Sequence, residues 1–216
     1  MLAYNGINGE NLLETYTDFV DLGFSLTFDQ SGSTVQKIKI YQNGYCSVFR
    51  DSLLFSVFYI NSIDRSEGKV WYRRLTEKSE LDLISEHINR AVKFTKSTGH
   101  FSAQNAFVIT WDSVKESQAN NYTQNTFQMV FVVDSRRTFL VLNYDQCDSI
   151  ADEVKLPIDK NGTYLNWDGS VSSTRFPQFS NFACKESNVN RPGQFIHLLY
   201  EKSITLLNTS LLYLKL

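Results

Sequence analysis

Runs of apolar, β-branched and aromatic residues bounded by polar turn residues recur along most of this chain, the pattern of strands in a sheet. The strongest case is NTFQMVFVVDSRRTFLVLNY, residues 125–144, in which apolar runs at 126–133 and 138–144 meet at the polar corner Asp134-Ser135-Arg136-Arg137. Further runs rich in β-branched and aromatic residues lie at 25–28, 37–49, 53–60, 69–75, 105–114 and 194–201, so eight or nine strands are expected. Within 37–49 the pair Asn43-Gly44 tolerates positive φ and predicts a hairpin closed by a two-residue type I′ turn. One stretch, about 79–94, has helical period: Leu81, Ile84, Ile88 and Ala91 recur at three and four residues and mark one buried face. Ser79, followed three places on by Asp82, is the expected N-cap, with Glu80 and Asp82 in the first turn where the macrodipole favours carboxylates. The expected fold is a β-rich α+β domain, one principal helix against a largely antiparallel sheet or sandwich.

Composition narrows the partners. With 216 residues the chain can bury a full core as one domain. A formal charge of -2, with both signs interspersed, offers no footprint for a phosphate backbone, so nucleic acid is not an expected partner. The first residues, MLAYNGINGENLLETYTDF, have neither the basic start nor the apolar stretch of a secretory leader or a membrane span. That pattern fits a cytosolic protein or one piece of a longer precursor. The tail SITLLNTSLLYLKL is apolar but short and interrupted by Asn208, Thr209 and Ser210, so direct membrane insertion is not expected.

Candidate chemistry is sparse. Cys46, Cys147 and Cys184 form no C-x-x-C pair, and none of His87, His100 and His197 stands at a metal-ligand interval from them, so neither a metal nor a cofactor is expected. Cys147 and Cys184 flank one polar segment and are candidates for a bridge in an oxidising compartment, whereas Cys46 sits in a strand and reads as a buried thiol. No phosphate loop, nucleophile elbow or H-E-x-x-H is present. Asp112, Glu116, Asp134 and Asp145 lie at strand ends, where paired acids of a hydrolase can meet, but solvated turn carboxylates are the commoner outcome. His197 reads as a packed or edge histidine and His100 as a surface-loop residue. Asn121-Tyr-Thr, Asn161-Gly-Thr and Asn208-Thr-Ser fit the N-glycosylation pattern, and the first two fall in polar segments between strands.

Four segments in order carry a family resemblance: GKVWYRR (68–74), AFVITWDSV (106–114), NTFQMVFVVDSRRTFLVLNY (125–144) and SNVNRPGQFI (187–196). Together they resemble the nidogen-type extracellular domain. The matching residues are Gly68, Val70, Tyr72 and Arg73, then Thr110, Trp111, Asp112 and Val114, then Asn125, Thr126, Phe127 and Gln128. Asn143 and Tyr144 follow, and Ser187, Asn188, Val189, Pro192 and Gly193 close the set. The resemblance covers residues 19–200, leaving 1–18 as a lead-in and 201–216 as a tail or extra strand. It departs where the family reads Pro-Phe-Trp-Ala-Asp-x-Asp. Here that segment runs from Val57 to Asp64 and keeps only the last carboxylate, which argues against a cation site. Residues 150–186 match weakly.

The resemblance implies a non-catalytic module of a secreted or cell-surface protein, part of a larger multidomain chain. Its partners would be extracellular matrix or cell-surface proteins, engaged in cell-matrix adhesion. Among the residues themselves, Trp71 and Trp111 are expected to be buried with their indole N–H bonded. Asn125, Thr126 and Gln128 are expected to satisfy backbone groups at a corner. Arg73, Arg74, Arg136 and Arg137 are candidates for a binding rim. The alternatives are a glycan-binding sandwich in which Tyr122, Tyr164 or Trp167 stacks on sugars, and a hydrolase using Asp112, Asp134 and Asp145.

Overall fold

The computed structural model describes residues 2, 10–13, 19–28, 32–48, 53–59, 63–64, 68–92, 99–116, 124–148, 153–157, 164–165, 171–172, 184–185 and 187–202. In chain order the elements are β1 (Asn11–Leu12), β2 (Phe19–Thr27), β3 (Thr34–Tyr41), β4 (Tyr45–Val48), β5 (Leu53–Tyr59), β6 (Ile63–Asp64) and β7 (Lys69–Leu75). There follow the helix α1 (Lys78–Ala91), β8 (Asn105–Glu116), β9 (Asn125–Val133), β10 (Arg137–Cys147), β11 (Glu153–Pro157), β12 (Tyr164–Leu165), β13 (Val171–Ser172) and β14 (Gln194–Glu201). One sheet runs β1-β7-β8-β9-β10-β14 with β6 also on β8, and the other runs β13-β12-β11-β5-β4-β3-β2. All strand pairs are antiparallel.

Three layers result: the second sheet, the first sheet and the helix. Along β9, Phe127, Met129, Phe131 and Val133 pack toward the second sheet, while Val130 and Val132 pack toward α1. A strand covered on both faces has no solvent side, which is why 125–133 is buried throughout and reads as a nearly unbroken apolar run. The two sheets meet through Leu22, Leu26, Ile38, Ile40 and Phe55 on one side and Ile109, Trp111, Phe131 and Leu142 on the other. Phe55 stands edge-on to Phe131 with ring centroids 5.3 Å apart, a favoured aromatic geometry. Cys46 is also in this layer, its sulfur 3.6 Å from that of Met129. Burial raises its thiol pKa, so the group stays protonated and unreactive.

The helix forms because Ile84 and Ile88 are buried against Leu75, Val108, Val130 and Phe139, with Leu81 and Ala91 at the margins of the same stripe. Its boundaries differ from the sequence expectation. The N-cap is Glu77, with no side-chain cap bond, and Ser79 lies inside the helix; the chain leaves helical geometry at Val92. What anchors the first turn is tertiary: Arg73 on β7 grips both oxygens of Glu80 at 2.9 and 2.6 Å. A cap bond became dispensable once that ion pair and the packing fixed the turn.

Two further expectations are corrected. The β3–β4 hairpin pairs Tyr41 with Tyr45, so its loop has three residues, and of Asn43 and Gly44 only the glycine has positive φ, at 88°. That is the three-residue hairpin with a left-handed closing residue, not the type I′ turn. The described residues also hold fourteen strands. Those missed include two-residue pieces such as β1, β6, β12 and β13, too short to show any period.

Candidate functional site

The arginine pairs divide by strand parity. Consecutive residues of a strand point to opposite faces, so Arg73 turns toward α1 and is 4% exposed while Arg74 lies on the face toward the second sheet and is exposed. Arg74 reaches the Asn105 side chain and lies over the Phe24 ring, 6.0 Å from its centroid. At the β9–β10 corner, Arg137 is buried and its Nε and Nη2 donate to Asp134 Oδ2 at 2.9 and 2.7 Å. Its remaining donors reach the carbonyls of Gly99 and His100. Asp134 also accepts the backbone N–H of Arg136 and Arg137 on Oδ1, which closes the turn. Arg73 and Arg137 are therefore structural, and the four-arginine rim reduces to Arg74 and Arg136. Both lie toward the same end of the first sheet, and Arg136 is 3.8 Å from Glu201.

The acids do not converge. Asp112 and Asp145 lie at the Asn125 end of β9, whereas Asp134 follows Val133 at the other end, about 26 Å away at 3.3 Å per residue. No group of three or more His, Cys, Asp or Glu side chains comes together among the described residues. Of the sugar-stacking candidates, Tyr164 lies on β12, and Tyr122 and Trp167 fall outside the described residues, as do the sequon residues Asn121, Asn161 and Asn208. Cys147, at the end of β10, is bonded to Cys184, 37 positions on.

The motif residues hold backbone to backbone. Trp111 is fully buried, stacked on Phe127, and donates from Nε1 to the Tyr41 carbonyl of the opposite sheet at 2.8 Å. Trp71 departs from expectation: it is half-buried, and its Nε1 has no hydrogen-bond partner among the described residues. A bulge in β8 puts Ser113 at φ 57°; its N–H donates to Thr126 Oγ1 at 3.1 Å, and Asn125 donates to the Val114 carbonyl at 3.2 Å. Gly68 sits against that bulge, where a Cβ would come within 2.8 Å of Val114 Cα. Gly193 is tighter still, since its Cβ would lie 2.3 Å from the Tyr144 carbonyl oxygen. Asn188 clasps Ile196 through two bonds of 2.9 Å, and Asn89 clasps Phe101 in the same way.

Gln128 does something that its position in the motif did not announce. Thr110, Gln128, Asn143 and Gln194 stand directly opposite one another on β8, β9, β10 and β14 and form one polar rung across the helix-side face. Gln194 donates to Asn143 at 2.6 Å, Asn143 to Gln128 at 3.4 Å, and Gln128 to Thr110 at 3.0 Å. His87 of α1 contacts the Gln194 amide oxygen at the far end. The available signal was a polar residue within or at the edge of each of four apolar runs. Only the register shows that the interruptions align.

His197, on the opposite face of β14, is 4% exposed with Nε2 unbonded among the described residues. Burial lowers its pKa from 6.5 to about 4. The unfolded chain then binds more protons than the folded one between those values, so stability is full above pH 6.5 and falls as pH drops toward 4. The expected loss is roughly 3 kcal/mol. Urea unfolding at pH 7 and pH 4 measures it, and His197→Gln should remove most of the difference.

Two stacked antiparallel sheets beneath a helix, tied by side-chain amides, define a β-rich α+β module. The chain belongs to the nidogen-like domain family, which matches it over residues 24–201. It is 27% identical to alpha-tectorin of Gallus gallus over 157 residues, covering 67% of this chain and 7% of that protein. It is 29% identical to alpha-tectorin of Homo sapiens over 150 residues, covering 63% and 7%. The chain thus spans about 7% of the length of the curated relatives it matches. No solved structure matches it. No helix among the described residues is long and apolar enough to cross a membrane.

Proposed function

We propose that this domain is a non-catalytic interaction module of a larger extracellular protein and contributes to cell-matrix adhesion through protein contacts. The observation that carries the reading is the use made of the family motif residues: Gly68, Trp111, Asn125, Thr126, Asn188 and Gly193 pack or bond against the protein's own backbone. A motif that holds a scaffold leaves binding to surface side chains, of which Arg74 and Arg136 are the proposed rim. The Cys147–Cys184 bond suits an oxidising compartment, and Asn121 and Asn161 are the proposed glycan acceptors. The domain proper is taken as residues 19–200, with the lead-in contributing β1 to its first sheet.

Fibroblast attachment to wells coated with the purified chain tests the reading. Attachment should exceed that on albumin and fall at least twofold for the double variant Arg74→Glu, Arg136→Glu, with the unfolding midpoint unchanged. Attachment no better than albumin overturns it. A glycan-array signal lost on replacing Tyr122, Tyr164 and Trp167 by alanine would replace it with the sugar-binding reading.

A further inference from the structure

The polar rung is completed by a residue that belongs to neither sheet. The backbone N–H of Leu2 donates to Gln128 Oε1 at 2.9 Å, and Gln128 Nε2 donates to the Leu2 carbonyl at 2.8 Å. A side-chain amide has two donor hydrogens and two acceptor lone pairs. In Gln128 all four are engaged: two by the rung, through Thr110 and Asn143, and two by the peptide groups of Leu2. Gln128 is fully buried. Without a peptide seated there, one donor and one acceptor of a core amide would lose their partners, each at a cost of about 1–3 kcal/mol unless water replaced them.

The Asn89 and Asn188 clasps differ in kind. They reach over 12 and 8 positions to an adjoining loop and strand, whereas the Gln128 clasp reaches over 126 positions to a separate segment. The bonds read only groups that every non-proline residue carries, so they select an extended backbone and not a sequence. Selection for the side chain comes from the walls. Leu2 packs with the helix-side core and lines, with Leu83, Ile84, His87, Val141 and Arg191, a cavity of about 250 Å³. That space remains open with Leu2 in place, enough for another side chain of a longer segment. Leu83 stands at its mouth 59% exposed, a large apolar side chain that the fold does not bury.

We propose that Gln128, its rung and this cavity form a binding site for an extended peptide segment bearing an aliphatic side chain, supplied by a partner protein, with Leu2 occupying it in cis. The proposal names the kind of contact made by the interaction module and rests on that reading. A partner strand must displace Leu2, and the displaced segment sets the threshold for binding, because an intramolecular occupant competes at high effective concentration.

The full chain carrying Leu2→Asp, which puts a carboxylate where Leu2 packs with the helix-side core, unseats the occupant. A fluorescent synthetic peptide of residues 1–9, MLAYNGING, is titrated into it and into the unsubstituted chain, with anisotropy as the readout. The substituted chain should bind at least tenfold more tightly, and a peptide with Asp in place of its leucine should not bind. Adding Leu83→Asp at the exposed mouth should abolish binding without moving the unfolding midpoint, a control independent of whether Gln128→Ala folds. Absence of saturable binding by the folded Leu2→Asp chain overturns the proposal, as does binding indifferent to Leu83→Asp. Neither result bears on cell attachment through Arg74 and Arg136, so the two readings fail separately.

Discussion

Replacing Trp111 by alanine is expected to lower the unfolding free energy by about 3–5 kcal/mol, the range for deleting a large buried aromatic. The indole is fully buried between the sheets, its ring centroid 5.1 Å from that of Phe127, and its Nε1 bonds the Tyr41 carbonyl. Alanine removes the packing, opens a cavity in the layer that joins the sheets, and leaves that carbonyl short of a donor. Since a domain is stable by only about 5–15 kcal/mol, the variant should populate unfolded chain at low denaturant. Trp111→Phe keeps most of the packing and should cost roughly 1–2 kcal/mol, mainly through the lost bond. Guanidinium unfolding monitored by circular dichroism decides the matter. A loss below 1 kcal/mol for the alanine variant would mean that the two sheets do not depend on this contact, contrary to the account of the core.

Asp134→Ala should be of comparable severity for an electrostatic reason. Arg137 and Asp134 are 4% and 8% exposed, and the carboxylate serves both the guanidinium and two backbone N–H groups of the turn. Removing it takes the counter-charge from a buried cation, a change that costs about 3–5 kcal/mol in comparable pairs. Asp134→Asn retains an acceptor for the turn and should recover part of the loss. Arg136→Ala, one residue away but paired only loosely with Glu201 at 3.8 Å, should change stability by less than about 1 kcal/mol. Equal effects at 136 and 137 in the same unfolding assay would refute the division of the doublet into one structural and one surface residue.

That division shows where reading the chain stops. Arg73-Arg74 and Arg136-Arg137 are indistinguishable as text, yet each doublet has one buried member. Charge type says nothing about which face of a strand a residue occupies, and parity has to be referred to a neighbour. Gln128 is the same problem in another form. As part of NTFQ it reads as a strand-start amide like Asn125, and Asn125 and Thr126 do bond backbone at the β8 bulge. Gln128 instead meets Thr110, Asn143 and Leu2, partners that local sequence cannot pair with it.

By itself the sequence determined the β-rich class, the principal helix with its buried stripe, the main strands and the family, because periodicity, turn residues and motif spacing are local and survive without coordinates. It also contained the buried thiol and the glycines that admit no side chain, although their reasons lie in what approaches them. The tertiary structure alone decided the three-layer stacking, the strand register, the fate of each arginine and the peptide seat at Gln128. Those depend on which residues stand opposite one another across strands far apart in the chain, and that alignment is set by the packing of the whole core.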